Sequence, residues 1–324
     1  MRGWKHRGRL GLQVPAVGSL APGGWVRVRP RLRRLSLAAL VTALVGGVVW
    51  FGVSLVQPRG AGQNLSWLAA PTTNRPGGWL PTGSVLAQRL QRGAPLVLGH
   101  RGGTERGYQN SMAAFNDAIR LRVNYIETDV RHTRDGQAVL IHDPRLPPVC
   151  TPYAGAAVRS LTAAELGQVR CAGQSIPRLD DLVARLRQPD ATRVGLMAEV
   201  KDTDPLGIRN ALAPLGWQRT IIESFDWSAL ATIEQDSPQV PTCPLGVTLA
   251  NLSAALAVTH DCIGPEERAV TAQLITRAHH AGVGVLAWTV DDPSAMDRLA
   301  RQGIDGLITD RPRVALALQH LRRP

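Results

Sequence analysis

Neither aspartate nor glutamate occurs before Glu105, so the first third of the chain cannot pair its own positive charge. Residues 1–34 hold nine Lys and Arg, and residues 35–104 hold five more. From Glu105 onward 23 basic side chains face 25 acidic ones, so the formal net charge of +12 belongs to an N-terminal arm and not to the folded body. Such an arm could be a nucleic-acid tail, but the uncharged run that follows it argues otherwise, so no nucleic-acid partner is expected. No C-x-x-C pair occurs among the four cysteines, which argues against a structural zinc site. Neither G-x-x-x-x-G-K nor a convincing G-x-G-x-x-G is present, which weakens a doubly wound nucleotide-binding sheet. There is no internal repeat or low-complexity tract. With 324 residues and 44% hydrophobic content, the chain suits one large domain plus an appendage.

The appendage begins with the basic arm, residues 1–34. Residues 35–56, LSLAALVTALVGGVVWFGVSLV, then run for 22 positions without a charge, long enough for a bilayer span. Arg31, Arg33 and Arg34 precede this run and only Arg59 closely follows it, so the positive-inside rule places the N-terminus in the cytoplasm and the body outside. A cleaved signal peptide and a buried helix are the competing readings, and the length of the basic region favours a single-pass anchor. Residues 57–94 form a spacer rich in Pro, Gly, Asn and Thr, closed by a helical pattern from Ser84 to Arg92. All four cysteines lie beyond the span. An exported domain favours disulfides, and nearness in sequence predicts Cys150 with Cys171 and Cys243 with Cys262, four free thiols being the alternative.

The body, residues 95–324, is organised around the stretch from Leu96 to Asp143. Leu96, Val97 and Leu98 read as a buried strand that delivers His100 and Arg101 into a glycine-rich loop. Ser111 to Leu121 has helical periodicity, with Asn110 as the expected N-cap. In the next strand, Asn124 to Val130, Glu127 and Asp129 stand two residues apart and share one face. Asp135-Gly136 marks a hairpin. A fold about Arg134 and Asp135 sets His142 opposite Glu127.

Further strands are expected from Val194, Thr220, Leu245, His260, Val283 and Gly306, each followed by helical sequence. Together with those from Leu96 and Asn124 they make eight βα units in about 230 residues, which predicts a TIM (β/α)8 barrel with a β-hairpin after its second strand. Glu199 and Lys201 again share a face by i, i+2 spacing. His100, Glu127, Asp129, Glu199 and Lys201 all fall at C-terminal strand ends, the catalytic face of such barrels. Carboxylate oxygens select a hard cation such as Ca²⁺ or Mg²⁺, and two histidines offer acid and base groups.

These motifs, in order, are His100-Arg101-Gly102, Gln109-Asn110-Ser111, Glu127-Thr128-Asp129, Asp135-Gly136, His142-Asp143, Ile176-Pro177-Arg178-Leu179, Glu199-Val200-Lys201, Ser224-Phe225, Trp288-Thr289-Val290 and Gly306 to Asp310. In this order the sequence resembles the glycerophosphodiester phosphodiesterases from His100 to about Pro312. The resemblance implies a divalent metal, Ca²⁺ or Mg²⁺, held by Glu127, Asp129 and Glu199, with His100 and His142 as the acid and base pair. It also implies phosphate contacts from Arg101 and Lys201. Phe225 and Trp288 are candidate walls for the glycerol moiety, core packing being the plainer reading. One departure stands out: the family's Pro-Glu-Asn-Thr is Tyr108-Gln109-Asn110-Ser111 here, and Glu105 is the nearest acid able to compensate. The expected function is a membrane-anchored, extracytoplasmic hydrolase that cuts glycerophosphodiesters to glycerol 3-phosphate and an alcohol. The alternatives are a phospholipase D-like enzyme on lysophospholipids or polyglycerophosphate, and a weakly active headgroup-binding protein. The sequence does not set the oligomeric state.

Overall fold

The computed structural model describes residues 95–202 and 204–318. The expected arm (1–34), span (35–56) and spacer (57–94) lie outside the described residues. Among the described residues, no helix is long and apolar enough to cross a membrane.

Among the described residues, twelve strands and nine α-helices follow in chain order: β1 (Leu96–Gly99), α1 (Met112–Leu121), β2 (Tyr125–His132), β3 (Ala138–Leu140), β4 (Cys150–Thr151), α2 (Ala163–Leu166), β5 (Arg170–Cys171), β6 (Gln174–Ser175), α3 (Leu179–Leu186), β7 (Gly195–Val200), α4 (Pro205–Leu212), β8 (Thr220–Ser224), α5 (Trp227–Asp236), β9 (Thr242–Pro244), α6 (Leu252–Ala255), β10 (Cys262–Ile263), α7 (Ala272–His280), β11 (Gly284–Ala287), α8 (Pro293–Arg301), β12 (Gly306–Thr309) and α9 (Pro312–Ala317). Eight of the strands pair in parallel in the order β10-β11-β12-β1-β2-β7-β8-β9. A parallel bridge between Leu245 and Gly264, with Gly264 N–H donating to Pro244 O at 2.8 Å, joins the two ends into a ring. The chain is a TIM-type barrel, with β3 as the return arm of a hairpin on β2.

The period of two along each strand separates its faces. Leu96, Leu98, Tyr125, Met197, Ile221, Cys243, Cys262, Leu286 and Ile308 form one buried cluster inside the ring. Two larger clusters seal the ring's outer face against the helices. Helix α3 shows why: Leu179, Leu182, Val183 and Leu186, at i, i+3, i+4 and i+7, are its buried residues. Gly195 opens β7 because a Cβ there would stand 2.3 Å from the Tyr125 ring, which fills the barrel floor. At the N-terminal strand ends, side chains fasten neighbouring strands: Asn124 Oδ1 accepts from Val97 N (2.8 Å), Asp261 Oδ2 from Thr242 N (3.0 Å) and Asp305 Oδ2 from Val285 N (2.8 Å).

Four local expectations are corrected. Ser111, not Asn110, caps α1, its Oγ accepting from Ala114 N at 3.2 Å. The β2–β3 hairpin closes through Arg134, Asp135 and Gly136, with Gly136 at φ 75°, so Val130 pairs with Leu140 and the register is one residue out from that expected. The fifth barrel strand is Thr242–Pro244 rather than a strand from Leu245, because Pro244 stands at its last position, where the ladder tolerates a missing N–H. The stretch from Pro144 to Ser175, whose prolines predict a loop-like insertion with one short helix, instead carries β4, β5 and β6 as a small antiparallel sheet over its own apolar cluster.

Cys150 and Cys171 pair across β4 and β5 and are joined by a disulfide. The expected Cys243–Cys262 bridge does not form; both are buried free thiols inside the barrel, and Cys262 Sγ donates to Thr242 O at 3.7 Å. Peptide mapping should therefore find one bridge, with Cys243 and Cys262 alkylated only after unfolding. Replacing Cys150 and Cys171 together with serine should lower the unfolding free energy by about 3 kcal/mol, read by denaturant titration.

Candidate active site

The inward-facing residues continue up each strand into the C-terminal mouth of the barrel. There β1 leads to His100 and Arg101, β2 carries Glu127 and Asp129, β7 carries Glu199 and leads to Lys201, and β8 carries Glu223 and leads to Phe225. Leu245, Trp288 and Ile308 complete the wall on the opposite side. These residues other than Asp129, together with His142, line a cavity of about 130 Å³.

The loop after β1 turns sharply. Arg101 has φ 51° and Gly102 φ 91°, and a Cβ on Gly102 would lie 2.9 Å from Ala114 and Phe115, so glycine is required there. This turn aims the Arg101 N–H at Glu127 Oε2 (2.8 Å). Glu127, Asp129 and Glu199 are all buried, and one oxygen from each lies within 4.8 Å of the others. Arg101 Nε stands 3.2 Å from Asp129 Oδ2, and Lys201 Nζ bridges Asp129 Oδ1 (3.2 Å) and Glu199 Oε2 (2.6 Å). Asn110 Nδ2 donates to Asp129 Oδ2 at 2.7 Å.

Two cations serve a buried group of acids, and the shortfall shows in proton affinity. Burial favours the neutral form of Asp129, but Lys201, Arg101 and the Asn110 amide outweigh it and hold the carboxyl below the usual range. Burial, then the charge of Asp129, pushes Glu127 up to about 8. Burial outweighs the Lys201 attraction at Glu199, pushed up to about 7. Three oxygen donors, two of which would otherwise retain protons, suit a hard divalent cation, which would replace those protons with positive charge.

The two histidines differ. His100 Nδ1 is 2.9 Å from Asp310 Oδ1 and its Nε2 faces Glu127 Oε2 at 3.9 Å. Burial opposes its protonation, yet the Asp310 hydrogen bond and the Glu127 charge carry its pKa above the ordinary histidine value. His142 Nδ1 is 2.8 Å from Asp143 Oδ1. Burial lowers its pKa, and Asp129 and Asp143 only partly reverse this.

Every site residue expected from the sequence lies at this mouth. Phe225 and Trp288 meet edge to face, ring centroids 5.4 Å apart, and the Trp288 Nε1–H donates to Gly264 O at 2.9 Å. Phe225 remains half exposed (52%), which corrects the core alternative for that side chain. Gln109 Oε1 accepts from Arg101 Nη1. Glu105 does not compensate for it: its Oε2 accepts from Arg313 N (3.0 Å), beside α9. Three side chains were not anticipated in the site. Asn110 bonds Asp129 and Thr128, Asp310 orients His100, and Glu223 lines the cavity. Period two along β8, from Ile221 through Glu223 to Phe225, is the signal that would have found the last.

Residues 100–314 match the glycerophosphoryl diester phosphodiesterase family. A Mycobacterium tuberculosis protein named "Probable glycerophosphodiester phosphodiesterase 2" is 35% identical over 253 residues, 71% of this chain and 92% of that one. A glycerophosphodiester phosphodiesterase of Caldanaerobacter subterraneus is 28% identical, with 69% and 97% of the chains covered. Among solved structures, a glycerophosphodiester phosphodiesterase from Agrobacterium tumefaciens superposes with TM-score 0.60 at 24% identity, covering 69% of this chain and all (100%) of that one. An Oleispira antarctica phosphodiesterase, solved with the product sn-glycerol-3-phosphate, gives TM-score 0.58 at 20% identity, covering 70% and 98%. These structural likenesses establish the barrel fold.

The raised proton affinities of Glu127 and Glu199 set a sign for cation binding. Below about 7 both carboxyls hold protons that a cation must displace, so apparent affinity for Ca²⁺ or Mg²⁺ should rise as pH increases through about 7 to about 8. Calorimetry in buffers of different ionisation enthalpy should detect proton release on binding. Affinity that does not change with pH contradicts this account of the cluster.

Proposed function

Since the chain belongs to the glycerophosphodiester phosphodiesterase family and is a phosphoric diester hydrolase, we propose that it cleaves glycerophosphodiesters to glycerol 3-phosphate and an alcohol in a divalent-metal-dependent reaction. The observation that carries this reading is the convergence of three buried carboxylates beside two carboxylate-supported histidines and two cations. The product held by the Oleispira phosphodiesterase supports the choice of glycerol 3-phosphate.

Glu127, Asp129 and Glu199 would hold the divalent cation, Ca²⁺ or Mg²⁺, which would supply Lewis-acid charge for the phosphoryl group. Arg101 and Lys201 add a guanidinium fork and a point charge for the same anion. Asp310 and Asp143 each hold a histidine at Nδ1, which leaves Nε2 of His100 and of His142 for proton transfer. Their proton affinities are moved in opposite directions, as an acid and base pair requires. One takes the proton of the attacking hydroxyl, and the other gives a proton to the leaving alkoxide. Phe225 and Trp288 form the wall for the glycerol carbons.

A second reading, a phospholipase D-like reaction on lysophospholipids or polyglycerophosphate, is favoured by a cleft of about 720 Å³ that shares Glu199, Lys201 and Phe225 with the cavity. It offers room for a larger alcohol. For location, we propose a single-pass anchor at residues 35–56 with the barrel extracytoplasmic; the charge asymmetry across that run and the Cys150–Cys171 disulfide support it. An export-dependent reporter fused after Pro324 should then be active, and activity of a cytoplasm-dependent reporter at the same point overturns the topology.

The functional test is turnover of glycerophosphocholine with Ca²⁺ or Mg²⁺, its loss on chelation, and a parallel assay on lysophospholipids. His100→Ala and His142→Ala should each lose about 10²- to 10⁴-fold in kcat with near-normal cation affinity. Glu127→Gln, Asp129→Asn and Glu199→Gln should weaken cation binding, with activity partly restored by excess metal. On a nitrophenyl ester, whose leaving group needs little protonation, one histidine variant should recover most of its loss and the other should not. Equal losses on both substrates refute the division of labour, and an inactive wild-type chain refutes the function.

A further inference from the structure

Glu223 is a buried acid of the cavity that the proposed chemistry does not use. It lies on β8, 2% exposed, with Glu199 and Cys243 as its register neighbours on the two flanking strands. Glu199 already holds Lys201, and the Cys262 thiol beyond Cys243 is spent on Thr242 O. Glu223 Oε2 has no hydrogen-bond partner, although the side chain lines the same cavity as His100 and Trp288. A buried carboxyl oxygen without a partner is rare in folded proteins, and its presence in a ligand cavity marks the partner as the ligand.

The surroundings define what that ligand presents. Around the ring, β1, β2 and β7 contribute the charged half of the cavity, while Phe225, Leu245, Trp288 and Ile308 contribute the apolar half. Glu223 stands at the seam. It lies outside the trio of oxygens that converge from Glu127, Asp129 and Glu199, and the apolar half gives a second cation no further ligands. A group with a carbon face for the aromatic wall and a hydroxyl edge for the seam matches both sides. Within the function proposed above, on which this step rests, that group is the glycerol moiety.

We propose that Glu223 is a specificity-determining residue that hydrogen-bonds a free hydroxyl of the substrate's glycerol moiety and so separates glyceryl from simple alkyl phosphodiesters. A site built to bond a hydroxyl rejects the analogue that lacks it, because its own polar atom is left unpaired.

The test uses two nitrophenyl phosphodiesters with a common leaving group, one glyceryl and one propyl, assayed with the full chain and its cation. Wild type should favour the glyceryl ester in kcat/KM by at least ~10-fold. In Glu223→Leu the glyceryl-to-propyl ratio should fall toward ~1, chiefly through KM for the glyceryl ester, while Glu223→Gln, which keeps a donor and an acceptor, should hold the ratio within ~3-fold of wild type. Calorimetric binding of glycerol 3-phosphate against propyl phosphate should show the same loss of discrimination. A wild-type ratio preserved in Glu223→Leu overturns the assignment alone. Weakened cation affinity in Glu223→Gln also overturns it and makes Glu223 a metal ligand. Failure of wild type to cleave either ester removes the functional reading, and this assignment with it.

Discussion

Repulsion among buried carboxylates is the constraint around which the barrel mouth is arranged. Glu127, Asp129, Glu199 and Glu223 are all nearly inaccessible, and Arg101 and Lys201 are the cations in contact with that group. Like charges in a low-dielectric site are tolerated only where other parts of the fold supply stability or a ligand supplies charge. Here both apply. The strained Arg101 backbone, the Asn110 amide and the His100 ring are directed at this excess of negative charge, and the apolar layers beneath hold them in place.

The barrel is as legible in the sequence as it is because period two on the strands and 3.6 on the helices both leave clear traces. Glu127 and Asp129 are visible as same-face carboxylates, and the amphipathic pattern from Leu179 to Leu186 bounds α3 to the residue. What escaped detection depends on distance along the chain or on one residue's backbone. Asp310 reaches His100 across 210 positions, a contact that no local pattern encodes. Asn110 looked like a helix cap because Ser111, equally suited to capping, follows it; only the positive φ of Asn110 (53°) turns its amide into the carboxylate cluster. Gly136 added a residue to the hairpin and shifted its register. Pro244 disguised a strand end, and the two barrel thiols looked like a disulfide because proximity in sequence says nothing about which sulfur already has a partner.

The departure at Gln109 can be understood in the same terms. A carboxylate at that position would add charge beside a cluster that already exceeds its counter-charges. The amide instead caps Arg101 Nη1 and leaves the guanidinium Nε facing Asp129. The insertion contributes the wall behind it: Cys171 and Ile176 line a small pocket with Gln109 and His142, so the disulfide braces the segment against which the His142 ring rests.

The fastenings at the opposite end of the barrel have a consequence for how such a protein can change. Asn124, Asp261 and Asp305 tie neighbouring strands through main-chain N–H groups at the closed end, one strand length away from the carboxylates. Groups a strand length apart contribute to stability almost independently. The chain can therefore exchange residues around its reaction chamber, Gln109 among them, without loosening the hoop that keeps the staves together. Its chemistry and its endurance are separate inheritances, and drift in one leaves the other intact.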